Sequence, residues 1–230
     1  MKKWVRHFEH FFDAMKPAIQ NDEEAFVWLS GLQHPMYNVV THLSCSSEAL
    51  GKKLDHLIQK LPASHSFWAQ IEELATALKE RGYKLIVTCP VMVWDVVPVL
   101  VPKFDVRLAE DMTSFYDILS TTSEFDKITG EGMARLLNHA NAEHYLAYLD
   151  GTPVGIGTLF VDGKVGVVSN VATLAEYQRK GCGKALMLTL MNRSHDLGLE
   201  QLILGTSKAA EKLYNHLGFQ ELFKIEMYTH

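Results

Sequence analysis

The sequence predicts a mixed α/β protein, a mostly antiparallel sheet flanked by helices, divided into an N-terminal α/β domain over residues 1–103 and a second domain over residues 104–230. Three observations carry this expectation. Segments with apolar residues three and four apart read as amphipathic helices. Period-2 runs joined by Asp150-Gly151 and Asp162-Gly163 read as an antiparallel meander. Pro98 and Pro102 interrupt the chain before amphipathic elements resume, which places a boundary near residue 103.

Taken in order, residues 49–61 put Leu50, Leu54, Leu57, Ile58 and Leu61 on one helical face, and Ile71, Leu74, Ala75 and Leu78 repeat the pattern before Gly82. Strands are expected at 37–43, 66–68 and 83–95. The stretch from Trp28 through Gly31, His34 and Pro35 to Asn38 is aromatic and punctuated. It reads either as a binding loop or as Trp28 and Tyr37 closing a small core. A strand at 104–108 and two helices within 111–140 follow, then strands at 145–149, 154–161 and 165–173. The chain ends as helix 184–197 stopped by Gly198, strand 201–205, helix 208–217 stopped by Gly218, and strand 219–228.

Composition narrows the class. The 230 residues carry 22 basic and 27 acidic side chains, a net charge of −5, with 47% hydrophobic, 21% charged and 10% aromatic residues. That is a folded globular composition, and it disfavours disorder and nonspecific nucleic-acid binding. Cys45, Cys89 and Cys182 form no CxxC pair and cannot all pair within one chain, which points to a reducing cytoplasmic setting. No signal segment is visible, and the apolar run at 91–101, broken by Asp95 and Pro98, is far short of the ~18 residues of a membrane span. The oligomeric state is left open.

The chemistry concentrates in Tyr177-Gln178-Arg179-Lys180-Gly181-Cys182-Gly183-Lys184, between a strand ending near Thr173 and a helix bearing Ala185, Leu186, Leu188, Leu190 and Met191. A helix N-terminus offers unpaired N–H groups and partial positive charge, and glycines let a phosphate approach the backbone. A Walker loop is disfavoured, because Gln178 stands at its first glycine and Ala185 at its hydroxyl position. A dinucleotide fingerprint is disfavoured by Leu186 and by the antiparallel strands upstream. The simplest alternative is a tight strand-to-helix turn with no ligand.

The remaining pattern, Gln178-x-x-Gly181-x-Gly183, resembles the [QR]xxGx[GA] loop of the GNAT superfamily of acyl-CoA-dependent N-acyltransferases. About 30 residues on, the run from Ala210 through Leu213, Tyr214, Gly218 and Phe219 is similar to that family's A-x-x-LY-x-x-x-GF segment. The likeness is specific over 145–228, weaker from Phe104, and before that suggests a degenerate copy of the fold, giving two related α/β domains. The first domain has no glycine loop, so one cofactor site per chain is expected.

The resemblance implies an N-acetyltransferase moving an acetyl group from acetyl-CoA to a primary amine of a small molecule or protein. Val171, Ala172 and Thr173 would pair with the cofactor arm, the backbone of Arg179, Lys180, Gly181, Cys182, Gly183 and Lys184 would hold the pyrophosphate, and side-chain identity at Cys182 should matter little. Tyr214 would protonate the departing thiolate, although it also reads as a core aromatic. Gln178 and Ser207 would also contact the cofactor, Ser207 standing where the family commonly has Asn and so making a weaker hydrogen bond to the arm. The general base is left among Glu176, Glu143, His144 and Asn170. No metal site is expected, because His139, Glu143 and His144 lack zinc-helix spacing and His7 and His10 could share a helix face without a third ligand. The competing reading is a protein that binds acyl-CoA, or regulates through it, without turnover.

Overall fold

The computed structural model describes residues 2–15, 18–21, 25–30, 34–43, 45–100, 103–110, 112–122 and 139–230. They comprise α1 (Lys2–Met15), β1 (Ala18–Asn21), β2 (Ala25–Leu29), β3 (Asn38–Leu43), α2 (Ser47–Ile58), β4 (Ser66–Ala69), α3 (Glu72–Glu80) and β5 (Lys84–Asp95). Then follow β6 (Asp105–Leu108), α4 (Thr113–Thr122), β7 (Ala142–Leu149), β8 (Thr152–Asp162) and β9 (Val165–Thr173). The last elements are a helix here called α5 (Cys182–Asp196), β10 (Gln201–Gly205), a short helix α6 (Glu211–His216) and β11 (Gln220–Thr229). The mixed α/β class is the expected one. Of the two helices expected within 111–140, α4 is the first, and the place of the second lies outside the described residues.

Two compact units result, and neither is one stretch of sequence. Unit 1 comprises Met1–Met92, Thr206–Tyr214 and Glu221–His230; unit 2 comprises Val93–Gly205 and Asn215–Gln220.

In unit 1, β1, β2 and β3 form an antiparallel meander, α2 crosses over, and β4 pairs parallel to β3. The sheet is then extended by β11, antiparallel to β4 from Glu226↔Ala69 to Thr229↔Ser66. Ser46 starts α2 by accepting the Ala49 N–H at 3.3 Å. Leu50, Leu54 and Leu57 of α2 and Leu74, Ala75 and Leu78 of α3 bury against Val27, Val40, Phe67 and Tyr228. Each fully buried leucine contributes about 1.5–3 kcal/mol. Phe12 of α1 stacks on Trp28, ring centroids 5.0 Å apart, so the aromatic stretch at Trp28 closes a core.

In unit 2, β6, β7, β8 and β9 are antiparallel, α5 crosses over, and β10 pairs parallel to β9. Helix α5 rests on β8 because Gly155 and Gly157 leave room. A Cβ at Gly155 would lie 3.0 Å from the Ala172 carbonyl oxygen and 3.2 Å from Leu186. Phe115, Ile118 and Leu119 of α4 supply buried core residues. The order of three antiparallel strands, crossover helix, parallel strand, helix and strand therefore occurs twice in the sequence.

Both meanders carry a bulge at the same step. On β9 the pairing passes from Ile156↔Ala172 to Thr158↔Ser169, so Asn170 and Val171 oppose the single residue Gly157. On β3 it passes from Phe26↔His42 to Val27↔Val40, leaving Thr41 as the additional residue. Among the described residues, no helix is long and apolar enough to cross a membrane.

Candidate active site

The parallel ladder between β9 and β10 runs from Gln201↔Val165 to Leu204↔Val168. Strand β9 continues for five more residues, through the bulge to Thr173, paired with β8. The bulge turns the strand, and backbone groups of 169–173 on the side of the parallel ladder form an edge that an extended ligand can pair with. Val171, Ala172 and Thr173, the residues expected to hold a cofactor arm, lie on this stretch and are half-buried.

A single 3₁₀ turn at Ala175–Tyr177 carries the chain from β9 to the loop. Gln178 donates its side-chain amide to the Thr173 carbonyl at 3.3 Å, which ties the loop to the strand end. Arg179 and Gly181 take left-handed conformations, φ +62° and +92°, on either side of Lys180. Changes of hand of this kind gather backbone N–H groups into anion-binding concavities. Gly181 is the N-cap of α5 and brings no side-chain hydrogen bond, whereas Ser46 caps α2 with its own hydroxyl. Among the described residues no N-cap side chain bonds the first N–H groups of α5, an arrangement that suits an external acceptor. Arg179, Lys180 and Lys184 are exposed around them, and the Lys180 Nζ sits 4.9 Å from the Tyr177 ring centroid. Gly183 lies in the first turn of α5 and is half-buried.

Cys182 departs from the expectation that its side chain matters little. It is 1% exposed, its Sγ donates to the Tyr177 carbonyl at 3.8 Å, and burial raises its thiol pKa. The side chain packs under the loop, so its size is constrained whatever its backbone N–H does.

Ser207 and Tyr214 lie in unit 1. Ser207 is exposed, and its carbonyl accepts from the Ala210 and Glu211 N–H groups, both at 3.1 Å, forming the turn that delays the start of α6. Tyr214 is 6% exposed; burial, and then the neighbouring Cys89, push its phenol up to about 12. The Cys89 thiol donates to the Thr206 carbonyl at 3.2 Å and is itself raised to about 11 by burial.

The four candidate bases separate cleanly. Glu143 is held as a carboxylate by Arg193, with Nη2–Oε1 at 2.6 Å and Nε–Oε2 at 2.9 Å, and accepts from the Tyr145 hydroxyl at 2.7 Å. The Arg193 hydrogen bond holds its pKa below the ordinary value. His144, next along β7, points the other way: its ring lies 4.9 Å from that of Phe115, and its Nδ1 is 2.9 Å from Thr158 Oγ1. Asn170 sits on the bulge at φ +53°, with Nδ2 3.4 Å from Thr158 Oγ1 and 3.3 Å from Ser169 Oγ. Glu176 is exposed in the 3₁₀ turn. His7 and His10 do share a face of α1, with ring centroids 6.4 Å apart. Thr158, the link between His144 and Asn170, was not legible in advance. Its only sequence signal is a polar residue in the otherwise apolar run from Val154 to Val161.

Residues 107–219 match the profile described as the Acetyltransferase (GNAT) family. Over 82 residues, 34% of this chain and 32% of that protein, the sequence is 30% identical to the uncharacterized N-acetyltransferase CgeE of Bacillus subtilis strain 168. The chain spans 32% and 56% of the lengths of the curated relatives it matches. The fold is similar to a GCN5-related N-acetyltransferase from Kribbella flavida, with TM-score 0.76 at 16% identity over 98% of this chain and 93% of that one. It is also similar to a tandem GNAT protein from the clavulanic acid biosynthesis pathway, with TM-score 0.59 at 11% identity over 83% and 74% of the two chains.

Proposed function

We propose that the protein, whose residues 107–219 match the Acetyltransferase (GNAT) family profile, is an acyl-CoA-dependent N-acyltransferase. It takes acetyl-CoA and transfers the acetyl group directly to a primary amine of a small molecule or protein, in a reducing cytoplasm. The observation that carries this is local to unit 2. An edge on β9, a loop with two left-handed residues and an α5 N-terminus without a side-chain cap follow one another within sixteen residues, Ser169 to Lys184.

The residues present suit such a ligand. The edge at Val171, Ala172 and Thr173 offers backbone partners to the amides of a pantetheine arm, and the N–H groups of α5 with Arg179, Lys180 and Lys184 suit a pyrophosphate. Ser207 and Tyr214 complete the set by their place in the motif. The acyl donor supplies a thioester, activated toward amines.

Tyr214 keeps its proton throughout the neutral range, so it acts as a donor and never as the base. A phenol near 12 gives up its proton reluctantly to a thiolate whose conjugate acid lies near 8.5, so its help is a hydrogen bond to the departing sulfur more than full transfer. A binder without turnover is the competing reading, favoured by Glu143 being fully engaged with Arg193 and Tyr145. Release of free thiol from acetyl-CoA, followed across a panel of primary amines, decides. Amine-dependent release supports the transferase, and CoA binding with no release from any amine supports the binder.

A further inference from the structure

A polar row crosses three strands of unit 2 where the surrounding positions are apolar. His144 on β7 faces Thr158 on β8, and Thr158 faces Ser169 on β9. His144 is 8% and Thr158 0% exposed, so water does not serve the hydroxyl. The row ends at Asn170, on the bulge, in a left-handed conformation that asparagine tolerates better than most residues.

We propose that Asn170 receives the acceptor amine, its Oδ1 accepting an N–H from the incoming nitrogen, and that Thr158 and His144 are positioning residues that fix which way its amide points. This rests on the transferase reading above and names the residue that meets the second substrate.

The direction of the row is set by the proton count of Thr158 together with the tautomer of His144. Thr158 has one hydroxyl proton and two lone pairs. Its 2.9 Å contact to His144 Nδ1 is the short one, and that of Asn170 Nδ2 at 3.4 Å the long one. When Nδ1 of His144 accepts the Thr158 proton, the Thr158 oxygen can only accept from Asn170, and the amide must present its NH₂ inward. Ser169 Oγ accepts the same NH₂ at 3.3 Å. Asn170 Oδ1, with no hydrogen bond among the described residues, is then the acceptor left for a ligand. A neutral ring with its proton on Nε2 sets this sense; with the proton on Nδ1 the amide would turn and offer a donor.

An uncharged acceptor suits this task. A carboxylate in the same place would stabilise the ammonium form and hold back the nucleophile. The nearest carboxylate along β7, Glu143, is instead bonded to Arg193 on α5. Asn170 orients a neutral amine and takes no proton; as the C–N bond forms and the C–S bond breaks, the proton shed by the nitrogen ends on the released CoA thiol.

The test uses the full chain with acetyl-CoA and the best substrate among a polyamine, an amino sugar and a lysine peptide. Thr158→Val, which keeps the shape and removes the hydroxyl, should lower kcat/KM for the amine by ~3–10-fold, about one hydrogen bond, with CoA affinity and melting temperature little changed. Thr158→Ser should recover most of that loss. Asn170→Ala should lower it at least as far. Nitrogen NMR of the imidazole should find His144 as the Nε2–H form, which a merely structural histidine need not be. Wild-type amine kinetics in Asn170→Ala, an equal loss of CoA affinity in Thr158→Val, or an Nδ1–H ring would overturn the assignment alone. A wild-type protein that turns over no amine overturns the transferase reading and this assignment with it.

Discussion

The side-chain amide of Gln70 donates to the carbonyl oxygen of Thr41. Thr41 is the additional residue of the β3 bulge, the step that corresponds to Asn170 and Val171 on β9, and the parallel pairing of β3 with β4 runs to Val40↔Phe67 just before it. In unit 1, then, the carbonyl that a ligand amide would seek is bonded from within. Its hydroxyl is engaged too, donating to the buried Glu9 at 2.8 Å. The helix that follows is capped by Ser46.

On the transferase reading, one acyl-CoA per chain is therefore expected. Calorimetric titration of CoA into the full chain should give a stoichiometry of one. A stoichiometry of two would mean that unit 1 opens and that the Gln70 contact does not close it.

For Tyr214, replacement by Phe keeps the ring's packing and removes the donor. Since the phenol is held near 12, general-acid help should fall at or below the low end of the usual ~10²–10⁴-fold, so a loss in kcat of about tenfold to a hundredfold is expected, with unchanged CoA affinity. Full activity with only a shifted melting temperature would make Tyr214 a core aromatic and nothing more.

The Glu143–Arg193 pair gives a pH signature. The folded carboxyl titrates below its ordinary 4.5, so the pair stabilises the fold above about that pH, and the contribution disappears as pH falls through the folded value. Glu143 is 25% and Arg193 39% exposed, so solvent screening leaves about 1 kcal/mol or less. The melting-temperature difference between wild type and Glu143→Gln should be present at pH 7 and shrink as the pH falls below the ordinary carboxyl value of 4.5. A difference that grows on acidification would contradict the pairing.

Residues 226–229 pair with β4, and Tyr228 is fully buried in the unit 1 core. A fragment of residues 104–230 therefore leaves that strand without its partner and exposes a buried tyrosine. It should lack a cooperative melting transition. A sharp transition with CoA binding would show that β11 finds another place.

Much of unit 2 was legible because its turns are chemically specified. Asp150 and Gly151 both take positive φ, +51° and +78°, and Gly163 takes +61°, so strands 165–173 and 201–205 fall where the turns and glycines place them. The helix expected at 208–217 begins at Glu211, because the Ser207 carbonyl takes the Ala210 and Glu211 N–H groups into a turn first. Strand β2, the five-residue apolar run Ala25–Leu29, has no alternation to distinguish it from a helix segment, and α1, whose buried face carries Val5, Phe8 and Phe12, has no acidic residue in its first turn and no basic one in its last to mark its ends. The pairing of β11 with β4 joins residues about 160 positions apart and leaves no local trace. At the site, the glycines and cations announced the loop. The bulge has no sequence signal, because a one-residue slip is set by the partner strand, and Thr158 has none because its role depends on the two neighbours that the sheet brings to it.

The most direct test is calorimetric titration of CoA into wild type and Gly183→Val, with melting temperatures measured alongside. Gly183 lies in the first turn of α5, and a branched side chain there blocks close approach to the helix N–H groups. The predicted result is a folded variant whose CoA binding is weaker by on the order of 1–3 kcal/mol, about fivefold to 150-fold. A folded Gly183→Val protein that binds CoA as tightly as wild type would contradict the assignment of this loop as the phosphate site.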